Sequence, residues 1–254
     1  MKKARGVLVL LLAALFTHGQ EISRYDADSL LKFINVHNAS DTSRLKSLMA
    51  LASFNILKPG EFKTDLDSAD AFIKQATGLN DKIRSPEANG FLQLLTAYLN
   101  KETGRNLKPS FATAVEILKT TKDKFHLATA ELELSKFYDA RKPEELPQKI
   151  ELVSNALMLL QHTGTEKQKI YAIKELRNNY GFGGYDDDLW KDRFLQGILL
   201  ISNNVHESDE GGWVRLEIID LHLRQGKTAM VENELVKLQN YYKSNDVPAH
   251  RVRK

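Results

Sequence analysis

The sequence predicts an all-α protein built as an α-solenoid of about five antiparallel helix pairs. Between the turn signals, apolar residues recur at three- and four-residue spacing, and no window alternates strictly for long enough to predict a strand. At five places an apolar Leu or Ile is followed four residues later by a medium-sized residue, and consecutive pairs are separated by 43, 40, 42 and 42 residues. The pairs are Leu51/Asn55, Leu94/Tyr98, Leu134/Tyr138, Leu176/Tyr180 and Ile218/His222. A fixed period in this range is typical of arrays in which each helix pair buries its apolar side against its neighbours.

Capping and turn residues predict an opening helix and the first helix pair. The opening helix is predicted over 26–36, inside an N-terminal segment of residues 20–40. The array itself is predicted to occupy 41–244, and Pro59-Gly60 marks the turn of its first pair. The two helices of that pair are predicted over 43–57 and 65–79.

Proline and glycine also mark the later pairs. Pro86 suits the first turn of a helix, Gly104 and Pro109 divide the second pair, and Pro143 and Pro147 break the third. The remaining helices are predicted through Ala114, Ile117 and Leu118, over 125–140, through Ile150, Val153 and Leu157, and over 165–180, 186–203, 211–225 and 228–242. The return helices carry small residues where two helices would cross closely, namely Ala69, Ala76, Ala114, Ala156 and Gly197.

The first nineteen residues have the three zones of a secretory signal peptide. A basic start precedes the apolar run from Val7 to Phe16, and a short polar stretch follows. The apolar run is too short to serve comfortably as a membrane span, so cleavage is predicted after Gly19, with Gln20 at the new terminus. An uncleaved anchor is the alternative.

Charge and cysteine content exclude several classes of function. Lys2, Lys3 and Arg5 supply the whole formal net charge of +3, because residues 1–19 contain no acid. The mature chain therefore has no net charge, which gives no support for nucleic-acid binding. One basic cluster remains in the tail, 245–254, where a frayed terminus is favoured over a contact with a membrane surface. The chain has no cysteine, which excludes disulfides, thiolate metal sites and cysteine nucleophiles.

Residues at several repeat positions resemble tetratricopeptide repeats over 41–244. The resemblance rests on Leu134-Ser135 with Tyr138, on Leu51-Ala52 with Asn55, on Ala69, Ile73 and Ala76, and on the turn Gln225-Gly226-Lys227. The chain departs from the family in a period nearer 42 than 34, and in Arg177 and Ile219 at positions where a small residue is usual. An armadillo- or HEAT-like array is the alternative.

The first pair also resembles the exported repeat regions that precede bacterial two-component sensor histidine kinases. The segments that carry this likeness are Asp41-Thr42-Ser43-Arg44-Leu45, Lys58-Pro59-Gly60-Glu61-Phe62 and Asp65-Leu66-Asp67-Ser68-Ala69. In such proteins this region is the extracytoplasmic input module, and the likeness implies a membrane-bound signalling partner. The sequence has no second hydrophobic span, no phosphoacceptor-type histidine helix and no glycine-rich ATP lid. The chain is expected to be either a free-standing relative or the part that precedes a membrane and kinase region.

The resemblance to tetratricopeptide repeats implies a ligand groove on the concave side of the array. The groove would be lined by Lys46, Ser53, Asn89, Thr96, Lys136, Asp139, Tyr171, Lys174, Asn178, Trp213, Asp220 and Arg224. Asn can pair with a bound backbone through both a donor and an acceptor, and Lys can meet a carboxylate, so an extended peptide or a chain terminus is expected there. A merely solvated face is the alternative, and Trp213 is either an aromatic anchor or a cover for the final repeat.

Two clusters of polar residues have plainer structural interpretations. The glycines of 181–184 precede Asp186-Asp187-Asp188, which would repel phosphate, so an acid-capped turn is predicted rather than a phosphate or calcium site. His206-Glu207 lacks the second histidine of a zinc-protease helix, so a loop and a helix cap are predicted there. His222 stands at the recurrent packing position and is predicted to be structural. The sequence accordingly predicts no catalytic residues, no metal site and no cofactor.

The leading hypothesis is an exported, non-enzymatic solenoid that binds a protein or peptide. It would be periplasmic or secreted, would act as a sensory input module or a scaffold in the bacterial envelope, and would have no nucleic-acid partner and no stable membrane insertion. The alternative is an envelope hydrolase of glycans or peptides that uses carboxylates such as Asp186 and Glu207 as acid and base. A third hypothesis is a structural assembly factor of the envelope.

Overall fold

The computed structural model confirms the prediction of an all-α chain for the part that it describes. The described residues are 24–35, 40–58, 60, 62–105, 107–139, 141–165, 169, 172–173, 188–202 and 208–244. They contain ten helices and no strand. The helices are α1 (Arg24–Ile34), α2 (Asp41–Leu57), α3 (Lys63–Ile83), α4 (Pro86–Glu102), α5 (Leu107–Lys119), α6 (Lys124–Ser135), α7 (Leu146–His162), α8 (Asp188–Ser202), α9 (Ser208–Arg224) and α10 (Thr228–Ser244).

Some predicted segments lie outside the described residues. These are the signal peptide over 1–19, the tail over 245–254, and most of the predicted helix over 165–180. Of that helix only 165, 169 and 172–173 are described, and 169 and 172–173 are helical. Among the described helices, none combines the length and the apolar character that crossing a membrane requires. The chain divides into two compact units, residues 1–137 and residues 138–254.

Several predicted boundaries are wrong. The predicted helix over 125–140 ends at Ser135, because the next two amides bond three residues back, Lys136 N to Glu133 O and Phe137 N to Leu134 O. Those shorter bonds tighten the chain into a turn. Pro147, predicted as a break, lies in the first turn of α7, where its missing N–H would have no helical partner in any case. Pro109, predicted as a divider, likewise lies in the first turn of α5.

Helices α2, α4 and α6 lie side by side in the first unit. Each helix packs on the next one in the chain, and in addition α2 contacts α4 and α4 contacts α6. Short connections between consecutive helices favour antiparallel neighbours. Helix α3 therefore runs back between α2 and α4, and α5 runs back between α4 and α6. This order of contacts is compatible with a helical-repeat array, in which each pair is covered by the next.

The repeated apolar positions form the core of the first unit. Leu51, Leu94 and Leu134 are all buried, and Leu51 packs with Ala27 and Leu30 of α1. Tyr98 is 7% exposed and meets the fully buried Phe111 of α5 edge to face, with ring centroids 5.4 Å apart. The burial of these four residues confirms them as packing positions, whereas Asn55 and Tyr138 are only partly buried.

The connection between α3 and α4 is closed by the side chain of Asn80. Its amide donates to Ser85 O and its carbonyl oxygen accepts from Ser85 N, each over 3.1 Å. Between them Arg84 takes the left-handed conformation at φ 59°, and Ser85 Oγ then caps α4 by accepting from Ala88 N. One buried amide thus fixes the point where the first helix pair passes to the second.

In the second unit, α7, α8, α9 and α10 pack in chain order. The contacts run from α7 to α8, from α8 to α9 and from α9 to α10. The buried apolar residues include Val153, Leu160, Phe194, Ile198 and Ile218. A second cluster joins α9 to α10 through Ile219, Val231 and Leu238, with Tyr242 packed against it.

Gly90 on α4 lies where α5 approaches most closely. A Cβ added there would lie 2.6 Å from Cδ2 and 3.1 Å from Cγ of Leu118, which is fully buried. Gly78 on α3 differs, because an added Cβ would have no neighbouring heavy atom within 4 Å. Alanine substitutions at these two helical glycines can therefore distinguish the effect of helix propensity on stability from the effect of packing.

We expect Gly78→Ala to raise the free energy of unfolding by about 0.5–1 kcal/mol, because alanine loses less backbone entropy than glycine in a helix. In Gly90→Ala the same gain is outweighed by overpacking against Leu118, which typically costs about 1–3 kcal/mol. Urea denaturation of both variants and the parent chain measures the difference. Equal stabilisation by the two substitutions would contradict the close approach of α5.

Candidate functional site

Five of the predicted groove residues occupy equivalent positions on the three neighbouring helices of the first unit. Lys46 and Asn89 stand five residues before Leu51 and Leu94, and Ser53, Thr96 and Lys136 stand two residues after Leu51, Leu94 and Leu134. All five are partly or fully exposed, although the residues beside them in the sequence are mostly buried. Because α2, α4 and α6 lie side by side, these positions fall on one surface. We call this surface the polar face; its residues are Lys46, Ser53, Asn89, Thr96 and Lys136.

Two further side chains, which the sequence analysis missed, lie beside the five residues of the polar face. Gln93 lies one turn after Asn89 on α4, and Thr129 of α6 is equivalent to Asn89 by its position five residues before Leu134. Both are partly exposed. The hydroxyl of Thr129 donates to Phe125 O and that of Thr96 to Leu92 O, so each presents an oxygen that can still accept. The repeat spacing alone could have identified Thr129.

A buried carboxylate joins α4 to α6 beneath the polar face. Glu133 is 4% exposed, and its two oxygens accept from Lys101 Nζ at 2.9 Å and from Lys136 Nζ at 2.7 Å. The side chains of both lysines are about one-third exposed. Glu133 therefore holds two lysine side chains together at this end of the polar face. Lys136 was predicted as a groove residue without its acidic partner.

The other predicted groove residues in the described part belong to the second unit. Trp213 is half-buried on α9, and Arg224 Nε donates to Asp220 over 3.0 Å on the exposed side of the same helix. Asp139 has a local role, because it accepts three hydrogen bonds from Arg141, which holds the pKa of the Asp139 carboxyl down to about 2. The predicted groove residues Tyr171, Lys174 and Asn178 lie outside the described residues.

A histidine and an aspartate meet at the start of α6. Asp123 caps the helix by accepting from His126 N, and its other oxygen lies 2.6 Å from His126 Nδ1. Phe91 of α4 stacks on the imidazole with ring centroids 4.1 Å apart. Burial raises the pKa of Asp123, but its hydrogen bonds and charge interaction with His126 outweigh this, so that the pKa is lowered overall. This pair fixes the first turn of α6 and docks it on α4.

Two other polar residues in the second unit, Lys149 and His222, are buried among neighbouring segments of the fold. Lys149 on α7 is 8% exposed and donates to Tyr138 O over 3.1 Å, and burial lowers the pKa of its ammonium group. His222 is also 8% exposed, and its Nε2 lies 4.0 Å from Asp192 Oδ1. Lys149 thus ties α7 to the segment before it, and His222 is buried beside α8.

Most residues of the alternative catalytic sites were not placed. The glycines of 181–184, Asp186, Asp187, His206 and Glu207 lie outside the described residues. Within the described ranges, no group of three or more metal-binding side chains converges. The hydrolase hypothesis therefore stays a prediction from the sequence.

We expect the two lysines on Glu133 to be strongly non-additive. Lys101→Ala or Lys136→Ala alone leaves one ammonium group on the carboxylate and should cost about 1 kcal/mol or less, as for partly exposed ion pairs. The double variant leaves the buried Glu133 carboxylate without either ammonium group and should lower the free energy of unfolding by about 3 kcal/mol or more. A double-mutant cycle by chemical denaturation measures the coupling. Simple additivity would show that Glu133 does not depend on the two lysines.

We expect Asp123→Asn to keep the helix cap and to lose a pH-dependent part of the stability. Because the pKa of Asp123 is lowered in the folded chain, its charge stabilises the fold above the unfolded pKa of about 3.9, and this stabilisation is lost as the pH falls through the folded pKa. The difference in unfolding free energy between parent and variant should therefore shrink below about pH 4. Asp123→Ala, which also removes the cap, should cost a further ~1 kcal/mol at every pH. A difference that does not change with pH would contradict this assignment.

No family model and no curated protein matches this chain. The resemblance to tetratricopeptide repeats therefore depends on the residues quoted for it above. Any function has to be inferred from the described surfaces and their chemistry.

Proposed function

We propose that the protein is an exported, tetratricopeptide-like solenoid that binds an extended peptide or protein segment along the polar face. It would serve as a sensory input module or a scaffold in the bacterial envelope, without catalytic activity of its own. The leader-like sequence over 1–19 supports export. The observation that carries the proposal is the row of equivalent, solvent-accessible polar residues on α2, α4 and α6.

The chemistry of the polar face suits an extended main chain. A peptide backbone offers one donor and one acceptor at each residue, and both need partners when a ligand displaces water from them. Asn89 and Gln93 carry amide groups that can donate and accept, and they lie one turn apart on the same side of α4. The hydroxyls of Thr96 and Thr129 add acceptors. Such a face would bind the main chain of a peptide and would not require a particular side-chain sequence in the ligand.

The charge at one end of the polar face favours an acidic group on the ligand. Lys136 and Lys101 both donate to Glu133, and both ammonium-bearing side chains are about one-third exposed to solvent. A ligand carboxylate, either a chain terminus or an acidic side chain, would be attracted there. Glu133 would act as a positioning residue, because it holds both ammonium groups in place before a ligand arrives.

Selection from a random peptide library with free carboxyl termini, against the chain from Gln20 onward, tests the proposal. Selected peptides are then measured by fluorescence anisotropy. We expect Asn89→Ala and Lys136→Ala each to weaken binding by about tenfold, the effect of losing one hydrogen bond of about 1.4 kcal/mol. Lys74→Ala is the matched control, because Lys74 is an exposed lysine of α3 that pairs only locally with Asp70.

Amidation of the peptide's carboxyl terminus separates backbone recognition from charge recognition. It should weaken binding to the parent chain and should have little further effect on Lys136→Ala. Selection that recovers no peptide, or peptides that bind the Lys74→Ala and Asn89→Ala variants equally, would contradict the proposed binding face.

A further inference from the structure

Three side chains form a line along α6 on the side that carries the polar face. Phe125 stands four residues before Thr129 and eleven residues before Lys136, intervals that are close to one and three turns of a helix. Phe125 and Thr129 are partly exposed, and Lys136 is exposed. The line therefore begins with an aromatic ring, continues with a hydroxyl group and ends with an ammonium group.

The aromatic ring at the start of this line distinguishes α6 from α2 and α4. The equivalent positions, nine residues before the buried leucines of α2 and α4, hold Thr42 and Ser85. Both of these residues are polar, and the hydroxyl of Ser85 caps α4 by accepting from Ala88 N. A large apolar side chain has taken the place of a hydroxyl group in α6, next to a surface whose other residues are polar.

Phe125 packs on a base that is already fixed. It meets His126 edge to face with ring centroids 5.3 Å apart, and His126 stacks on Phe91 of α4 at 4.1 Å. Asp123 holds the same imidazole through Nδ1 over 2.6 Å. A ring that is held before binding loses little freedom when a ligand covers it, and aromatic side chains of this kind are frequent anchors of interfaces.

The length of α6 between Phe125 and Lys136 determines how far apart two ligand groups would lie. Eleven residues of helix at about 1.5 Å each separate them by ~16 Å. An extended chain advances ~3.3 Å per residue, so about five residues of a bound peptide cover this distance. Between the two ends lie Thr129 and, at the same level of the repeat in α4, Asn89.

We propose that Phe125 determines the sequence preference of the ligand by contacting a large apolar side chain about five positions before the ligand's carboxyl terminus. The terminal carboxylate meets Lys136, and the peptide runs back along α6 toward Phe125, with Thr129 and Asn89 beside its main chain. This inference rests on the proposed peptide binding. It adds one side-chain preference to a face whose other groups recognise main chain and carboxylate.

A position scan with synthetic peptides tests this preference. The probes are fluorescein-labelled glycine–serine peptides with a free carboxyl terminus, each with one phenylalanine at a different position. Fluorescence anisotropy measures their binding to the chain from Gln20 onward. We expect the peptide with phenylalanine about five positions before the terminus to bind about tenfold more tightly than the peptide without phenylalanine. Phenylalanine at the adjacent positions should give less, because successive side chains of an extended peptide point to opposite sides.

Substitutions of Phe125 distinguish ligand contact from a purely structural role. Phe125→Ala should flatten the scan, so that the position of the phenylalanine no longer matters. Phe125→Arg should shift the preference from phenylalanine to glutamate at the same position, which a purely structural role would not produce. Phe62→Ala is the matched control, because Phe62 is a 74% exposed phenylalanine at the start of α3. Far-UV circular dichroism checks that each variant keeps its helices.

The outcomes separate this inference from the proposed function. Peptides that depend on Asn89 and Lys136 but bind equally well wherever the phenylalanine stands would overturn the role of Phe125 and leave the peptide-binding face supported. A preference that persists in Phe125→Ala would overturn it as well. A scan in which no peptide binds would count against both the role of Phe125 and the binding face.

Discussion

The described structure depends on the burial of one apolar position in each first helix of a pair. Leu51, Leu94 and Leu134 are buried on three helices that each pack on neighbouring helices. No single helix could bury these side chains alone, since each has neighbours on more than one side. In a helical-repeat array every pair presents the same position to its successor, and such an array would account for the fixed period in the sequence. The absence of cysteine means that this packing has no covalent support.

The polar face follows from the same constraint. Once the helices α2, α4 and α6 are held side by side, the positions two residues after and five residues before the buried leucine reach the solvent in register. Their side chains are then free to vary without disturbing the core, and binding surfaces are built at such positions. Glu133 is the exception, because its buried carboxylate connects surface lysines to the packing of α4 against α6. Substitution of Glu133 would therefore alter both the stability of the fold and the positions of the surface lysines.

Much of the fold could be predicted from the spacing of apolar residues and the positions of proline and glycine, since both are local properties of the sequence. Helix type and the buried repeat leucines followed from apolar spacing, and Gly104 and Gly226 stand at turns with positive φ, as expected. The end of α6 could not be predicted, because it depends on backbone bonds that tighten after Ser135. The pairing of Lys101 with Glu133 was also missed, since it joins residues 32 positions apart whose proximity comes only from helix packing. The same holds for Phe91 on His126, whereas the cap at Asp123 is a local signal that could have been read.

The short connection at Arg84 and Ser85 limits how the repeats can change in length. Asn80 spans this junction with both halves of its amide, so an inserted residue would break two hydrogen bonds and shift the cap of α4. Repeat lengths that vary between 40 and 43 residues must therefore be accommodated at other connections, such as those near Gly104 and around 120–123. Insertions and deletions would accordingly be tolerated unevenly along this chain, and the connection at Arg84 and Ser85 should be the slowest to change in length.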